Sequence, residues 1–260
     1  MKKRYDVIVL GANGFLGAEV VKFFKAKKYK VLSVTSKNYR SLRGSNSKII
    51  INTNGNTYRF KANKNPQWDF KKSFLSVCDS VNDFEYNLYI YISSVDVYHK
   101  KNDKKKNKEN SQIKPLKLDF YAFHKWMAER YVEKNTKNYL IFRLGTLIGP
   151  NMKKGPLLDL IKNNYIFMNL NSKLTIISKF TALNLIYKIL KLKIKNEIFN
   201  ITGSGSFSLH SLKNHFKNIK SLDTRKHSYD ININKINKYS KVPTSKSEVV
   251  NFFRNLKKRY

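Results

Sequence analysis

The chain reads as an α/β protein built on a mainly parallel sheet, and three observations predict it. Short apolar runs rich in β-branched residues alternate with segments of helical periodicity. Glycines at 11, 14 and 17 stand directly between the first such run and the first helix. With 260 residues, 41% of them hydrophobic, the chain can bury the core of one large domain, or of one domain with a small appendage.

The elements follow in order. "YDVIVL", 5 to 10, ends at Gly11 and suits a buried parallel strand. Residues 15 to 25 carry Leu16, Val20 and Phe24 on one helical face. "KVLSV", 30 to 34, is a second strand and "SKIIIN", 47 to 52, a third. In the latter region "IINTNGNTYRF" also reads as a hairpin, because Asn-Gly stands between apolar stretches; the parallel strand is favoured. A helix is predicted over 69 to 81, a strand over 86 to 92, a charged loop over 99 to 110, and a helix over 119 to 134. "YLIFR", 139 to 143, is a strand, and Gly149-Pro150 closes the unit. Beyond 150 the pattern loosens. Helices are expected over 179 to 193, 208 to 219 and 244 to 258, and a strand over 197 to 201. This divides the chain into a regular α/β region, 1 to 150, and a looser region, 151 to 260, partly packed back on the sheet.

The charge is extreme for a soluble enzyme: 52 Lys and Arg against 17 acids, a net +35. Such a charge suits an anionic partner, such as nucleic acid, an acidic surface or a phosphorylated substrate. The alternative is a basic solvated surface with no dedicated partner. The spread of basic residues along the whole chain favours that second reading. Cys78 is the single cysteine, so no disulfide forms within the chain, which fits a reducing compartment; it is expected to be a small buried residue. "MKKRYDVIVL" begins like a signal peptide, but Asp6 and Asn13 interrupt the apolar region. No apolar run reaches the length of a membrane span, and a cytoplasmic protein is expected. The histidines show no metal-ligand spacing, His210 and His215 falling on different helix faces, so no metal site is expected.

The glycine loop carries chemistry. In "VLGANGFLGAEV" the first glycine permits a tight turn, the second lets a pyrophosphate approach the backbone, and the third lets the helix pack closely on the sheet. The helix N-terminus adds amide donors and a positive dipole end. Gly11, Asn13, Gly14, Phe15, Leu16 and Gly17 are therefore candidate cofactor-binding residues. An NAD site usually places an acid after the second strand to hold the ribose 2′-hydroxyl. Here the stretch is "SVTSKNYR", and no Asp or Glu occurs between Glu19 and Asp69. Thr35, Ser36 and Lys37, with Arg40, could instead surround a 2′-phosphate, which favours NADP over NAD.

"YAFHK" places Tyr121 one helical turn before Lys125. The spacing alone means little, since a Tyr with a basic residue four later should arise about three times in this composition. Its weight comes from the motifs around it. "GANGFLG", "YISSVDVY" (91 to 98), "YAFHK", "FRLGTLIGP" (142 to 150) and "EIFNITGSGSFSLHSL" (197 to 212) together resemble the extended short-chain dehydrogenase/reductase family, in family order over nearly the whole chain. The resemblance implies a Rossmann-type doubly wound sheet with a small C-terminal substrate subdomain. It implies an NAD(P)-dependent enzyme acting on nucleotide-linked sugars, with Ser94, Tyr121 and Lys125 as catalytic residues. Tyr121 would exchange a proton with the sugar oxygen, and a nearby ammonium and a charged nicotinamide would bring its phenol closer to neutrality. Ser94 would hydrogen-bond the reacting oxygen. Lys125 would also hold the nicotinamide ribose, with Asn54 of "INTNG" beside the cofactor. A homodimer is left open.

The chain departs from the family pattern in two places. Only about ten residues separate "VLSVT" from "KIIIN", barely one crossover. One βα unit is therefore missing, and "KVLSV" should lie at the sheet edge. Dehydratases of the family carry two adjacent acids after the serine or threonine; here those positions are Val95 and Asp96, which counts against dehydration. An epimerase and a 4-keto-sugar reductase both remain, and "INTNGNT" with the short middle is similar to the dTDP-4-dehydrorhamnose reductases. The competing class is a non-catalytic dinucleotide- or nucleic-acid-binding protein on the same fold, motivated by the +35 charge; nucleic acid is the less favoured partner.

Overall fold

The computed structural model describes residues 4–163, 165–214, 216 and 218–257. Met1 to Lys3 of the signal-like opening, and His215, lie outside the described residues. Two compact units interleave in sequence. The first comprises residues 1–99, 112–143 and 186–199; the second comprises 100–111, 144–185 and 200–260.

In the first unit, β1 (Arg4–Leu10) leads through the glycine loop to α1 (Gly17–Ala26) and then β2 (Val31–Val34). A loop with one short 3₁₀ turn, Arg40–Leu42, leads to β3 (Asn46–Asn52). Then come α2 (Arg59–Lys64), α3 (Pro66–Asp69), a π-helical segment Phe70–Leu75, and α4 (Ser76–Asp83). β4 (Glu85–Ser94), α5 (Phe120–Asn135) and β5 (Tyr139–Leu144) follow. β3 pairs in parallel with both β1 and β4, Ile50 standing opposite Ile8 on one side and Tyr89 on the other. The hairpin alternative at "IINTNG" is thus excluded.

β6 (Thr146–Ile148), α6 (Pro156–Asn163), β7 (Tyr165–Ile166), β8 (Lys173–Leu174) and β9 (Ile176–Ser178) come next, then α7 (Lys179–Lys191) and β10 (Glu197–Ile201). The six-stranded sheet has the order β10-β5-β4-β3-β1-β2, which leaves β2 at the edge as the short connection required. Residues 35 to 45 carry the chain past β1 with no helix and no outer strand. A connection of that length cannot hold a strand and a helix as well. The fold is the doubly wound α/β arrangement, one βα unit short.

Burial explains why these runs are strands. The last four residues of β1 and the last six of β4 are buried without alternation, as strands covered on both faces must be. Ile8, Ile50, Tyr89 and Ile141 from four neighbouring strands meet Val77 and Val81 of α4 and Ala128 and Val132 of α5 in one core. Cys78, expected to be buried, is only partly so.

The second unit continues with β11 (Phe207–Ser208), β12 (Lys220–Ser221), α8 (Asn234–Asn237) and α9 (Ser245–Lys257). Its strands are short pairs, β6 with β9, β8 with β11 and β7 with β12, around a core that includes Leu157, Leu160, Ile176, Phe207 and Val249. The helix expected over 208 to 219 is a strand end followed by a 3₁₀ turn, Leu209–Asn214. Phe207 and Leu209 are both buried, and Phe207 and Ser208 pair with β8, so the first residue of the expected helix belongs to a strand. Helix α6 and the short strands are absent from the sequence reading, because they are too brief to show a period. The lysine-rich loop has an internal anchor: fully buried Asn107 donates to the Asp230 carbonyl (2.9 Å) and accepts from the Asn232 amide (2.8 Å).

One buried ion pair ties α5 to the sheet. Arg143 Nη2 lies 2.7 Å from Glu129 Oε2, its Nε donates to both carboxylate oxygens, and Nη1 donates to the Tyr98 hydroxyl at 2.7 Å. The Ser93 hydroxyl donates to Glu129 Oε1. Both charges are almost wholly buried, 1% exposed for Arg143 and 0% for Glu129. Replacing Glu129 by Gln keeps the shape and strands the guanidinium charge, so it should cost about 3–5 kcal/mol. Urea unfolding measures this as a lower midpoint at unchanged slope; a loss under about 1 kcal/mol would mean that Arg143 is satisfied by its other partners.

Candidate functional site

The candidate residues gather where the strands of the first unit end. Gly11 stands just past β1 with φ +75°, and a Cβ there would come within 3.1 Å of the Asn54 amide and the Thr53 hydroxyl. Gly17 opens α1 so close to the loop that a Cβ would lie 2.1 Å from the Gly11 carbonyl oxygen. At Gly14 a Cβ would meet only that same carbonyl, at 3.1 Å. The three glycines therefore serve turn, open approach and helix packing, each as its position in the motif demands. The loop closes on itself through Gly14 N–H to Gly11 C=O (2.8 Å) and Ala18 N–H to Gly14 C=O (3.0 Å), and Ala12 N–H bonds the end of β2 at Val34 (3.0 Å). Asn13 and Gly14 are exposed, Phe15 is half-buried and Leu16 is buried.

After β2, Asn38 shapes the loop. Its Oδ1 accepts from the Thr35 amide (2.7 Å) and hydroxyl (3.1 Å), and its Nδ2 donates to the Ser33 carbonyl (3.1 Å). Ser36, Lys37 and Arg40 are left exposed. The sequence reading passed over Asn38, although an Asn three residues after a Thr in a polar stretch signals such a turn.

After β3, buried Asn52 donates to Tyr89 (2.7 Å) and Ser80 (3.1 Å) and accepts from the Asn54 amide (2.8 Å). The Thr53 hydroxyl donates to the Leu10 carbonyl at 2.7 Å. Gly55 follows with φ +115°, and a Cβ there would stand 3.3 Å from Lys125 Nζ. The glycine loop, Asn54 and Lys125 are thus joined through one short turn.

Ser94 ends β4, and Asp119 caps α5 by accepting from the Ala122 amide at 3.0 Å. Tyr121 and Lys125 then lie one turn apart, 8% and 5% exposed. The Ser94 hydroxyl lies close enough to the Tyr121 phenol to favour its charged form. The Ser94 hydroxyl also contacts Asp96 Oδ2 at 3.3 Å. Lys125 Nζ donates to the Ile92 carbonyl (3.2 Å) and stands 5.1 Å over the Tyr91 ring. Arg59, also missed from sequence, pairs with Asp119 and approaches Asp96 at 3.7 Å.

The chain alone does not bring the Tyr121 phenol toward neutrality. Burial pushes it above the usual value and the Asp96 charge adds to that, while the Ser94 hydroxyl works the other way. A buried phenolate near carboxylates has too little compensation, so Tyr121 is held in its protonated form. Lys125 is lowered to about 8 by burial, against which the charges of Asp69 and Glu129 pull upward. Among the described residues no group of three or more His, Cys, Asp or Glu is placed to hold a metal ion, and no helix is long and apolar enough to cross a membrane.

Comparison with known proteins places this geometry. A family model described as the RmlD substrate-binding domain matches residues 5–157. Comparison with curated proteins returns no significant match. Among solved structures the chain is similar to a UDP-galactose 4-epimerase, at 16% identity and a TM-score of 0.80, over 99% of each chain. It is similar to the dTDP-4-dehydrorhamnose reductase of Bacillus anthracis str. Ames in complex with NADP, at 18% identity and a TM-score of 0.79, over 98% of this chain and 100% of that one. The UDP-glucuronic acid 4-epimerase of Bacillus cereus in complex with UDP-glucuronic acid and NAD shares 17% identity and a TM-score of 0.74, over 99% and 100%. At these identities the likeness establishes the fold. The family match covers more than half of the sequence, and the chain belongs to the RmlD substrate-binding domain family, in keeping with the extended short-chain dehydrogenase/reductase motifs read from its residues.

Proposed function

We propose that the protein is an NADPH-dependent reductase of a nucleotide-linked keto sugar, with Ser94, Tyr121 and Lys125 as its catalytic residues. The observation that carries this reading is the placement of buried Tyr121 and Lys125 one turn apart on α5, with Lys125 Nζ beside the Gly55 turn that meets the glycine loop. A dinucleotide fits the residues present: Gly14 is open where a pyrophosphate would approach, and Gly11 and Gly17 hold the helix N-terminus behind it. Gly11, Asn13, Gly14, Phe15, Leu16 and Gly17 would hold the pyrophosphate; Thr35, Ser36 and Lys37 would receive the 2′-phosphate; Asn54 and Lys125 would flank the nicotinamide ribose. When bound, that group supplies the hydride. Tyr121 donates a proton to the sugar oxygen, Ser94 orients that oxygen by a hydrogen bond, and Lys125 holds the ribose and returns positive charge to the site. Residues 151 to 260 would receive the sugar nucleotide.

Reduction is preferred to epimerisation for two reasons. No acid follows β2 to hold an unmodified ribose. One dTDP-4-dehydrorhamnose reductase that the chain resembles was solved in complex with NADP.

NADP(H) should therefore bind more tightly than NAD(H) in calorimetric titrations. Tighter NAD binding would move the balance to an epimerase.

Replacing Tyr121 by Phe should leave cofactor binding intact and lower turnover by roughly 100- to 10,000-fold. Ser94→Ala should slow turnover with binding nearly unchanged, and Lys125→Met should harm both; the three should not be additive. The assay follows the nicotinamide absorbance on a panel of nucleotide-linked 4-keto sugars, with hydroxy sugars tested for epimerisation. Wild-type rates in Tyr121→Phe would remove this site from consideration.

Lys125 is charged below about pH 8 and neutral above it. Affinity for the cofactor should accordingly be steady at lower pH and weaken as pH rises through that value. In Lys125→Met this limb should vanish, which NADPH fluorescence titrations at several pH values would measure.

A further inference from the structure

Behind Lys125 lies a buried polar chain that the proposed reaction does not use. His124 Nδ1 stands 2.7 Å from Asp69 Oδ2, with side-chain exposures of 6% and 0%. Asp69 Oδ1 accepts from the Ser73 hydroxyl at 2.8 Å. Ser73 Oγ in turn accepts from the Asn56 backbone amide at 3.1 Å. Asn56 directly follows Gly55, the residue against which Lys125 Nζ rests. An unbroken path of hydrogen bonds thus runs from the His124 ring to the turn touching the ammonium. Ser73 sits inside the π-helical segment, a geometry that recurs at functional sites.

The chemistry of the pair separates it from ordinary packing. Burying a carboxylate costs several kcal/mol, and an apolar pair of similar volume would fill the space as well. Burial raises the Asp69 carboxyl, but the polar groups of His124, Ser73 and Asn56 outweigh it and hold the group below its usual value. An ionised carboxylate only accepts, so the ring donates through Nδ1. Phe70 packs edge-on against the imidazole, at 5.5 Å between centroids, and keeps water from it. The charges that act on Lys125 are Asp69 at the end of α3 and Glu129 on α5, and the Tyr91 ring of β4 lies under the ammonium. Of the two negative charges, Glu129 is taken up by Arg143. Asp69 is the one whose hydrogen bonds also reach the turn.

We propose that Asp69, clamped by His124 and Ser73, is a positioning residue for Lys125: it holds the Asn54–Asn56 turn against the ammonium and keeps that ammonium charged. The role in turnover rests on the reading of Lys125 given above, but the coupling of Asp69 to Lys125 does not.

The test has two arms. The first needs no cofactor. Urea unfolding is measured for wild type, Asp69→Asn, Lys125→Met and the double variant, at pH 7 and at about pH 9.5. Asp69→Asn keeps an acceptor for Ser73 and removes only the charge. Its effect on the unfolding constant should differ by about fivefold or more between the two Lys125 backgrounds at pH 7. That difference should shrink at the higher pH, where Lys125 is neutral. Additive effects at both pH values overturn the proposal. Should Asp69→Asn fail to fold, the neutral pair Asp69→Asn/His124→Leu, which leaves neither partner stranded, takes its place in the same cycle. The second arm follows kcat/KM against pH with NADPH. The alkaline limb should move to lower pH by about one unit in Asp69→Asn, and Asp69→Glu should restore it in part; an unmoved limb overturns the proposal. If wild type binds neither NADPH nor NADH, the functional reading fails while the unfolding cycle still decides the link between Asp69 and Lys125.

Discussion

The position of α5 depends on one buried fork. Glu129 bonds Arg143 on β5 and Ser93 on β4, so the helix is pinned to two central strands one turn beyond Lys125. A helix held only by apolar contacts can slide or rotate at small cost, because dispersion has no direction. Charge-assisted hydrogen bonds in a fixed geometry do have direction. Tyr121, His124 and Lys125 all ride on α5, and their register against Ser94, Asp69 and Gly55 is inherited from that fork.

The few acids of this chain are placed with economy. Against 52 bases there are 17 acids, yet Asp69 and Glu129 are fully buried in the first unit, each with a basic partner. Both carboxylates also act on Lys125, which burial would otherwise discharge further. The lysines outnumber any set of buried partners, and most remain solvated with the charge outside. A basic surface and a site tuned by two interior carboxylates are therefore separate matters, and the +35 charge is compatible with an enzyme without being explained by one.

Losing a βα unit leaves the candidate site in place because its residues stand at the ends of β1 and of strands on the far side of it from β2. The order β2-β1-β3-β4 brings the ends of β1, β3 and β4 side by side, and these carry Gly11, Asn54 and Ser94. Only the outer flank beyond β2 is lost. There Asn38 supplies by side-chain hydrogen bonds the loop shape that a longer connection would build from backbone.

The sequence by itself determined the sheet and the local geometry of the candidate site. Runs such as "YDVIVL" and "YNLYIYI" can only be buried strands, the glycine spacing matches its turn, and Tyr121 must share a helix face with Lys125. All of these are short-range: periodicity, backbone freedom and i to i+4 spacing act within a few residues. Tertiary structure decided the rest. It opened the expected helix over 208 to 219 with a strand end, Ser208 being paired with β8, and a 3₁₀ turn over Leu209–Asn214. It raised the Tyr121 phenol above its usual value, because desolvation depends on everything packed around the ring. It also joined His124 to Asp69, which stand 55 residues apart. No local pattern announces that pair, since its partners meet only when α3 packs against α5, and a buried charge finds its counter-charge by distance in space, whatever the separation along the chain.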